Sequence, residues 1–106
     1  VSDEHRIDVV DNPAQERYEA RIDGRLAGYS EYQLTTKLVV FTHTEVLPEF
    51  EGQGVASALT KFALDDIRNQ GVREVLPICP FVKSWIGRHR DYIPLVFGVR
   101  PSSPKD

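Results

Sequence analysis

The 106-residue sequence contains a single cysteine and no methionine. Cys79 therefore has no intrachain partner for a disulfide, and no Cys-x-x-Cys pair is present. The histidines, His5, His43 and His89, are scattered along the chain, so no structural zinc framework and no metal site is expected. Long apolar runs are also missing. The longest strongly apolar stretch is Leu38-Val39-Val40-Phe41, far short of the roughly 20 residues that span a bilayer. The opening Val1-Ser2-Asp3-Glu4-His5-Arg6 lacks the apolar core of a secretory signal. Together with the free thiol, these absences lead to the expectation of a cytoplasmic protein with no membrane partner. Excess positive charge is absent too: Lys and Arg total 13 against 16 Asp and Glu, for a net charge of -3. That balance disfavours nucleic acid as a partner.

What remains is ordinary for a soluble domain: 41% of residues are hydrophobic and 27% charged. A chain of about 100 residues buries roughly two thirds of its unfolded surface, enough to fold without disulfide or metal staples. No repeat or low-complexity tract divides it. Residues 1–100 are expected to form one domain, and Pro101 to Asp106 a flexible tail.

Ile7, Val9 and Val10 suggest a first strand closed by the turn residues Asp11-Asn12-Pro13. Apolar and charged residues alternate from Tyr18 to Ile22, Asp23-Gly24 signals a tight turn, and Leu26 to Leu34 resumes an extended pattern. From Lys37 to Val46 the β-branched and aromatic content predicts a central strand. Strict alternation places Val39, Phe41, His43 and Glu45 on one face of it. After Pro48 and Gly52 the period becomes helical, with Val55, Leu59, Phe62, Ala63 and Ile67 on one stripe and Gly71 as the left-handed cap. Val72 to Ile78 read as another strand. Pro80 then opens a second helix with Phe81, Val82, Trp85 and Ile86 inward. The expected order is ββββαβα, an α/β (α+β) fold.

The turn Glu51-Gly52-Gln53-Gly54-Val55-Ala56 joins the long strand to the first helix. Its main-chain N–H groups lie at the positive end of the helix dipole, and two glycines permit close approach, so the turn can cradle a pyrophosphate. A turn that simply needs two glycines is the plainer alternative. The segment resembles the acetyl-coenzyme A signature of the GNAT superfamily of N-acetyltransferases, Gln/Arg-x-x-Gly-x-Gly/Ala, with Glu51 standing where Gln or Arg is usual. Three segments further resemble the small, single-domain YjdJ-type branch of that superfamily: His43-Thr44-Glu45-Val46, Gly52-Gln53-Gly54-Val55-Ala56, and Cys79-Pro80-Phe81-Val82-Lys83-Ser84-Trp85. The resemblance covers roughly residues 16 to 96. It implies a twisted mixed sheet with splayed central strands, with acetyl-coenzyme A held by Val46, Leu47, Gly52, Gln53, Gly54, Val55, Ala56 and Ser57.

Cys79 precedes Pro80 and is therefore biased to the extended geometry of a helix cap. A helix N-terminus stabilises thiolate, which makes Cys79 a candidate nucleophile; a small buried apolar residue is the alternative. His43 and Glu45 are candidate general bases for an amine acceptor, or else an edge pair and a packed ring. Tyr92 is a weaker candidate proton donor. Lys83, Arg88 and Arg90 read as a solvated face. The resemblance thus implies acetyl transfer from acetyl-coenzyme A to an amine on a peptide or small molecule, by a monomer or homodimer. A non-catalytic acyl-coenzyme A sensor and a plain interaction domain are the competing classes.

Overall fold

The computed structural model describes residues 6–98; the expected tail at 101–106 lies outside the described residues. The elements are β1 (Ile7–Asn12), β2 (Arg17–Ile22), β3 (Arg25–Leu34), β4 (Leu38–Val46), α1 (Val55–Gln70), β5 (Glu74–Pro77) and α2 (Pro80–Arg88). Short 3-10 turns add Pro13–Gln15, Pro48–Phe50 and Arg90–Leu95. The ββββαβα order is therefore observed, with the three turns as additions that the sequence pattern did not specify.

The strands form one sheet in the order β1-β2-β3-β4-β5. The first four pair antiparallel through short connections, and β5 pairs parallel to β4. A parallel pair needs a crossover, and α1 is that crossover. β4 is thus interior but fourth of five, and β3 is the middle strand. β5 is shorter than expected. Val72 and Ile78, at the ends of the predicted strand, are 64% and 60% exposed.

Both helices lie on one side of the sheet. Tyr18 on β2 donates to Asp66 on α1 (2.8 Å), and Trp85 on α2 donates to the Ser57 hydroxyl on α1 (3.2 Å). Between the layers sit Tyr18, Tyr32 and Phe41, whose rings are 5.4 to 6.4 Å apart. Burial raises the Tyr18 and Tyr32 phenols far above the ordinary range, reinforced by their hydrogen bonds to Asp66 and Asp11. α1 turns Val55, Leu59, Thr60, Ala63, Leu64 and Ile67 inward and closes on Gly71, whose N–H reaches the Ile67 carbonyl in the left-handed conformation (φ 67°). Phe62 departs from the expected stripe. It is 41% exposed, beside the edge strand β1 at the border of the sheet, with its ring edge-on to Tyr18. No helix among the described residues is long and apolar enough to cross a membrane.

The far face of the sheet carries no helix among the described residues, and polar side chains share it with Val10, Leu26, Leu38, Val40 and Leu76. Glu19 is 5% exposed there, held by Arg17 (2.8 Å), Arg21 (3.3 Å) and Asn12 (3.0 Å). The Arg17 guanidinium, which also stacks over Tyr29 at 4.5 Å, keeps the Glu19 carboxyl below its ordinary value of 4.5 against the opposing effect of burial. A depressed carboxyl stabilises the fold above its ordinary value, and that contribution disappears as pH falls through the folded value. Glu19→Ala is therefore expected to lower unfolding stability by about 1.5–3 kcal/mol at neutral pH. Urea titrations should show the difference from wild type narrowing on acidification; a constant difference would contradict this role.

Candidate active site

The site begins where β4 runs out. Leu47 N–H bonds the Ala27 carbonyl (2.8 Å), and the Pro48–Phe50 turn then buries Phe50. Gly52 and Gly54 follow, both left-handed at φ 83° and 81°, a conformation that other residues adopt only with strain. A Cβ at either would meet open space, so the loop's main chain faces outward, uncovered. Gly54 is the N-cap of α1, and the first intrahelical bond runs from Ala58 N–H to the Gly54 carbonyl (3.0 Å). The N–H groups of Val55, Ala56 and Ser57 accordingly have no intrahelical acceptor. No acidic side chain occupies that first turn.

These groups border an open cavity of about 220 Å³. Of the predicted cofactor-binding residues, Val46, Gly52, Gly54, Val55, Ala56 and Ser57 line it, whereas Leu47 and Gln53 do not. Phe50, Glu51 and Phe81 complete the wall. Phe81, expected to be a core anchor, is half-buried at the start of α2, where it packs against the core and also lines the cavity. Gly28 on β3 lets the helix settle here. A Cβ at this position would lie 2.6 Å from the Glu45 carbonyl oxygen and 3.0 Å from Val55 Cγ1. An amide-lined cradle with no acidic side chain in the helix's first turn suits a diphosphate such as that of coenzyme A, with Glu51 at its rim as the one opposing charge in the lining.

Beside the cradle the sheet opens. The β4–β5 register runs from Leu38↔Glu74 to Phe41↔Pro77 and stops. The N–H groups of Ile78 (3.0 Å) and Cys79 (2.8 Å) both bond the Phe41 carbonyl, and the chain turns into α2. β4 continues to Val46 without β5 beside it, which is the splay that the resemblance implied.

An extra residue in β4 alters which side chains face this opening. Glu31 pairs with His43 but Tyr32 pairs with Phe41, so Thr42 bulges from the ladder. Tyr18, Ser30 and Thr44 are cross-strand partners, and Tyr32 and Phe41 share their face. Thr44, not His43, is therefore on the helix side with Phe41. His43 and Glu45 project from the other face, correcting the strict alternation read from the sequence; a bulge reverses the parity of every residue beyond it.

Cys79 is buried, 3% exposed, at the N-cap of α2 with extended backbone. Its sulfur makes no cap bond; it lies 3.3 Å from the Thr44 hydroxyl. On the far face His43 Nε2 and Glu45 Oε1 are 2.8 Å apart, half-exposed. The fold thus joins His43 to Glu45 but connects neither to Cys79, which lies across β4. Tyr92 is committed elsewhere. Its hydroxyl donates to Asp65 (2.8 Å), a bond that, with burial, raises the phenol above its ordinary value. Lys83, Arg88 and Arg90 are exposed.

A model of the GCN5-related N-acetyl-transferase family matches residues 17–95. No curated protein matches the chain. Among solved structures, the chain is similar to a ribosomal-protein-alanine N-acetyltransferase from Brucella melitensis biovar Abortus 2308, with TM-score 0.55 and 20% identity over 82% of this chain and 64% of that one. It is also similar to the ribosomal-protein-S18-alanine N-acetyltransferase from Escherichia coli, with TM-score 0.54 and 16% identity over 73% of this chain and 43% of that one. At these identities the likeness is one of fold, and the chain spans less than two thirds of either protein.

Two glycines separate the packing requirement from helix propensity. Gly28→Ala should destabilise the fold by about 1–3 kcal/mol through the clash with the Glu45 carbonyl. Gly87→Ala, in α2 with nothing within 4 Å, should stabilise it by about 0.5–1 kcal/mol. Thermal unfolding of both variants checks the contrast; a neutral Gly28→Ala would contradict the close approach at the cradle.

Proposed function

The chain belongs to the GCN5-related N-acetyl-transferase family, and we propose that it moves an acetyl group from acetyl-coenzyme A to an amine acceptor. We further assign it to the small, single-domain YjdJ-type branch, on the three motif segments. The observation that carries the reading is the first turn of α1, with its free N–H groups and left-handed Gly54, set beside the point where β5 leaves β4. The cradle takes the pyrophosphate, and the gap along β4 takes the pantetheine arm with its thioester.

Two sides of β4 then have separate tasks. Cys79 lies on the helix side, next to Thr44. As thiolate it attacks the acetyl carbonyl; a new carbon–sulfur bond forms to Cys79, and the coenzyme sulfur departs with the electron pair of the bond that breaks and then takes up a proton. On the open side the acceptor arrives as an ammonium, which cannot attack until it loses a proton. Glu45, paired with His43, takes that proton, a contribution worth roughly 10²–10⁴ in rate. The neutral amine enters by the gap that β5 leaves beside β4 and attacks the acetyl group; the Cys79 sulfur departs with the electron pair of the breaking carbon–sulfur bond, and the second proton shed by the nitrogen passes to it. The helix-free face suits an amine on a peptide or other extended molecule, in keeping with the two fold relatives, whose names specify protein alanine amines. The sole cysteine, kept as a free thiol, suits the reducing cytoplasm.

One observation favours a second reading. Glu51, an acidic residue, lines the cavity meant for a diphosphate, as it would in a sensor that binds acyl-coenzyme A loosely without transfer. Isothermal titration with acetyl-coenzyme A should show binding that Gly54→Val abolishes; no binding by the wild type would remove both readings. With binding established, turnover on a panel of amines separates enzyme from sensor. Mass spectrometry should find one acetyl on Cys79, and Glu45→Gln should lower kcat about 100-fold or more. Full turnover by Cys79→Ala would eliminate the covalent route and leave direct transfer from the thioester.

A further inference from the structure

We propose that Thr44, backed by Ser30, is a positioning residue for Cys79, fixing the rotamer of its sulfur and donating a hydrogen bond to it in the thiolate form. The inference rests on the participation of Cys79 in transfer. Its structural basis is a chain of three polar side chains, one from each of three elements. Cys79 Sγ is 3.3 Å from Thr44 Oγ1, which is 3.4 Å from Ser30 Oγ. Ser30 is 0% and Cys79 3% exposed, so water reaches neither end freely. The cysteine backbone is clamped, its N–H on the Phe41 carbonyl (2.8 Å) and its carbonyl accepting from Lys83 N–H (3.0 Å). Only rotation about one side-chain bond remains, and the Thr44 hydroxyl selects among its positions.

Each hydroxyl has one donor and two acceptor sites. With a neutral thiol, the S–H donates to Thr44 and Thr44 donates to Ser30. With a thiolate the direction reverses, so that Ser30 donates to Thr44 and Thr44 donates to sulfur. The pair follows the charge by rotating two O–H bonds and neither gains nor loses a proton overall. No cationic side chain among the described residues is hydrogen-bonded to this sulfur. His43 and Glu45 of β4 and Glu31 of β3 lie on the other sheet face, Glu74 of β5 shares a face with Leu38, and Lys83 and Arg88 of α2 are exposed. Packing alone does not call for these hydroxyls. Valine has the shape of threonine and suits a strand as well, and an apolar pair would avoid burying two O–H groups.

The test is the pH profile of the thiolate's ultraviolet absorbance, with Cys79→Ala as the blank, in which the sole cysteine gives an unambiguous signal without any reagent having to reach the sulfur. Thr44→Val should raise the pH midpoint by about one unit, a tenfold loss of thiolate at a given pH. Thr44→Ser should restore it, and Ser30→Ala should move it the same way by less. An unmoved midpoint in Thr44→Val overturns the proposal. If that variant does not unfold cooperatively, Ser30→Ala decides, and an unmoved midpoint there overturns it equally. The profile requires no acetyl-coenzyme A. A shifted midpoint alongside a fully active Cys79→Ala would keep the hydroxyl pair and remove the covalent route; the converse would remove the pair and keep the route.

Discussion

One carbonyl governs the arrangement of this molecule. The Phe41 oxygen accepts from two consecutive N–H groups, those of Ile78 and Cys79, and a strand cannot continue in register from such a fork. β5 therefore leaves the sheet at Pro77. The far half of β4 loses its parallel neighbour, and α2 starts from Cys79 with Pro80 in its first turn. A gap in the sheet and a thiol set against Thr44 are two results of the same pair of hydrogen bonds. The bulge at Thr42, one residue further along β4, divides the chemistry: Thr44 goes to the cysteine side and His43 with Glu45 to the open side. A regular strand would have turned His43 and Glu45 to the cysteine side.

Much of this framework is legible in local sequence because the signals are local. Asp23-Gly24 marks the hairpin, and both residues adopt positive φ. Gly54 and Gly71 bound α1 in left-handed conformations that few other residues tolerate, and Pro80 marks the start of α2. The cradle follows from the spacing of glycines before an amphipathic run. The bulge is different in kind. No residue type in Phe41-Thr42-His43 announces it; it arises from how the aromatic pair Tyr32 and Phe41 and the hydroxyl pair Ser30 and Thr44 are each satisfied across two strands. The exposure of Phe62 likewise depends on where the sheet ends beneath α1, which helical periodicity does not encode. The contact of Thr44 with Cys79 spans 35 positions and depends on the β4–β5 crossover. The share of the site that alternation and motif spacing miss is the share made by register.

The single helical layer has an energetic consequence for the other face. A sheet covered on one side must present polar groups on the other, and here Arg17, Arg21 and Asn12 converge on the buried Glu19 carboxylate. The cations of β2 are thereby engaged with Glu19. Across the sheet, His43 and Glu45 remain half-exposed and hydrogen-bonded to each other. The open face thus combines a buried carboxylate with its partners and a half-exposed imidazole–carboxylate pair.

The central claim is that coenzyme A lies along the amides of α1's first turn and in the gap beside β4. Backbone amide chemical shifts recorded during titration with coenzyme A test it most directly, residue by residue. The account predicts that the largest changes fall on Gly54 to Ser57 and on Thr42 to Val46, with Ile7 to Val10 and Phe62, which line a separate groove between β1 and α1, unmoved. Changes concentrated in that groove, or none at the helix start, would contradict it.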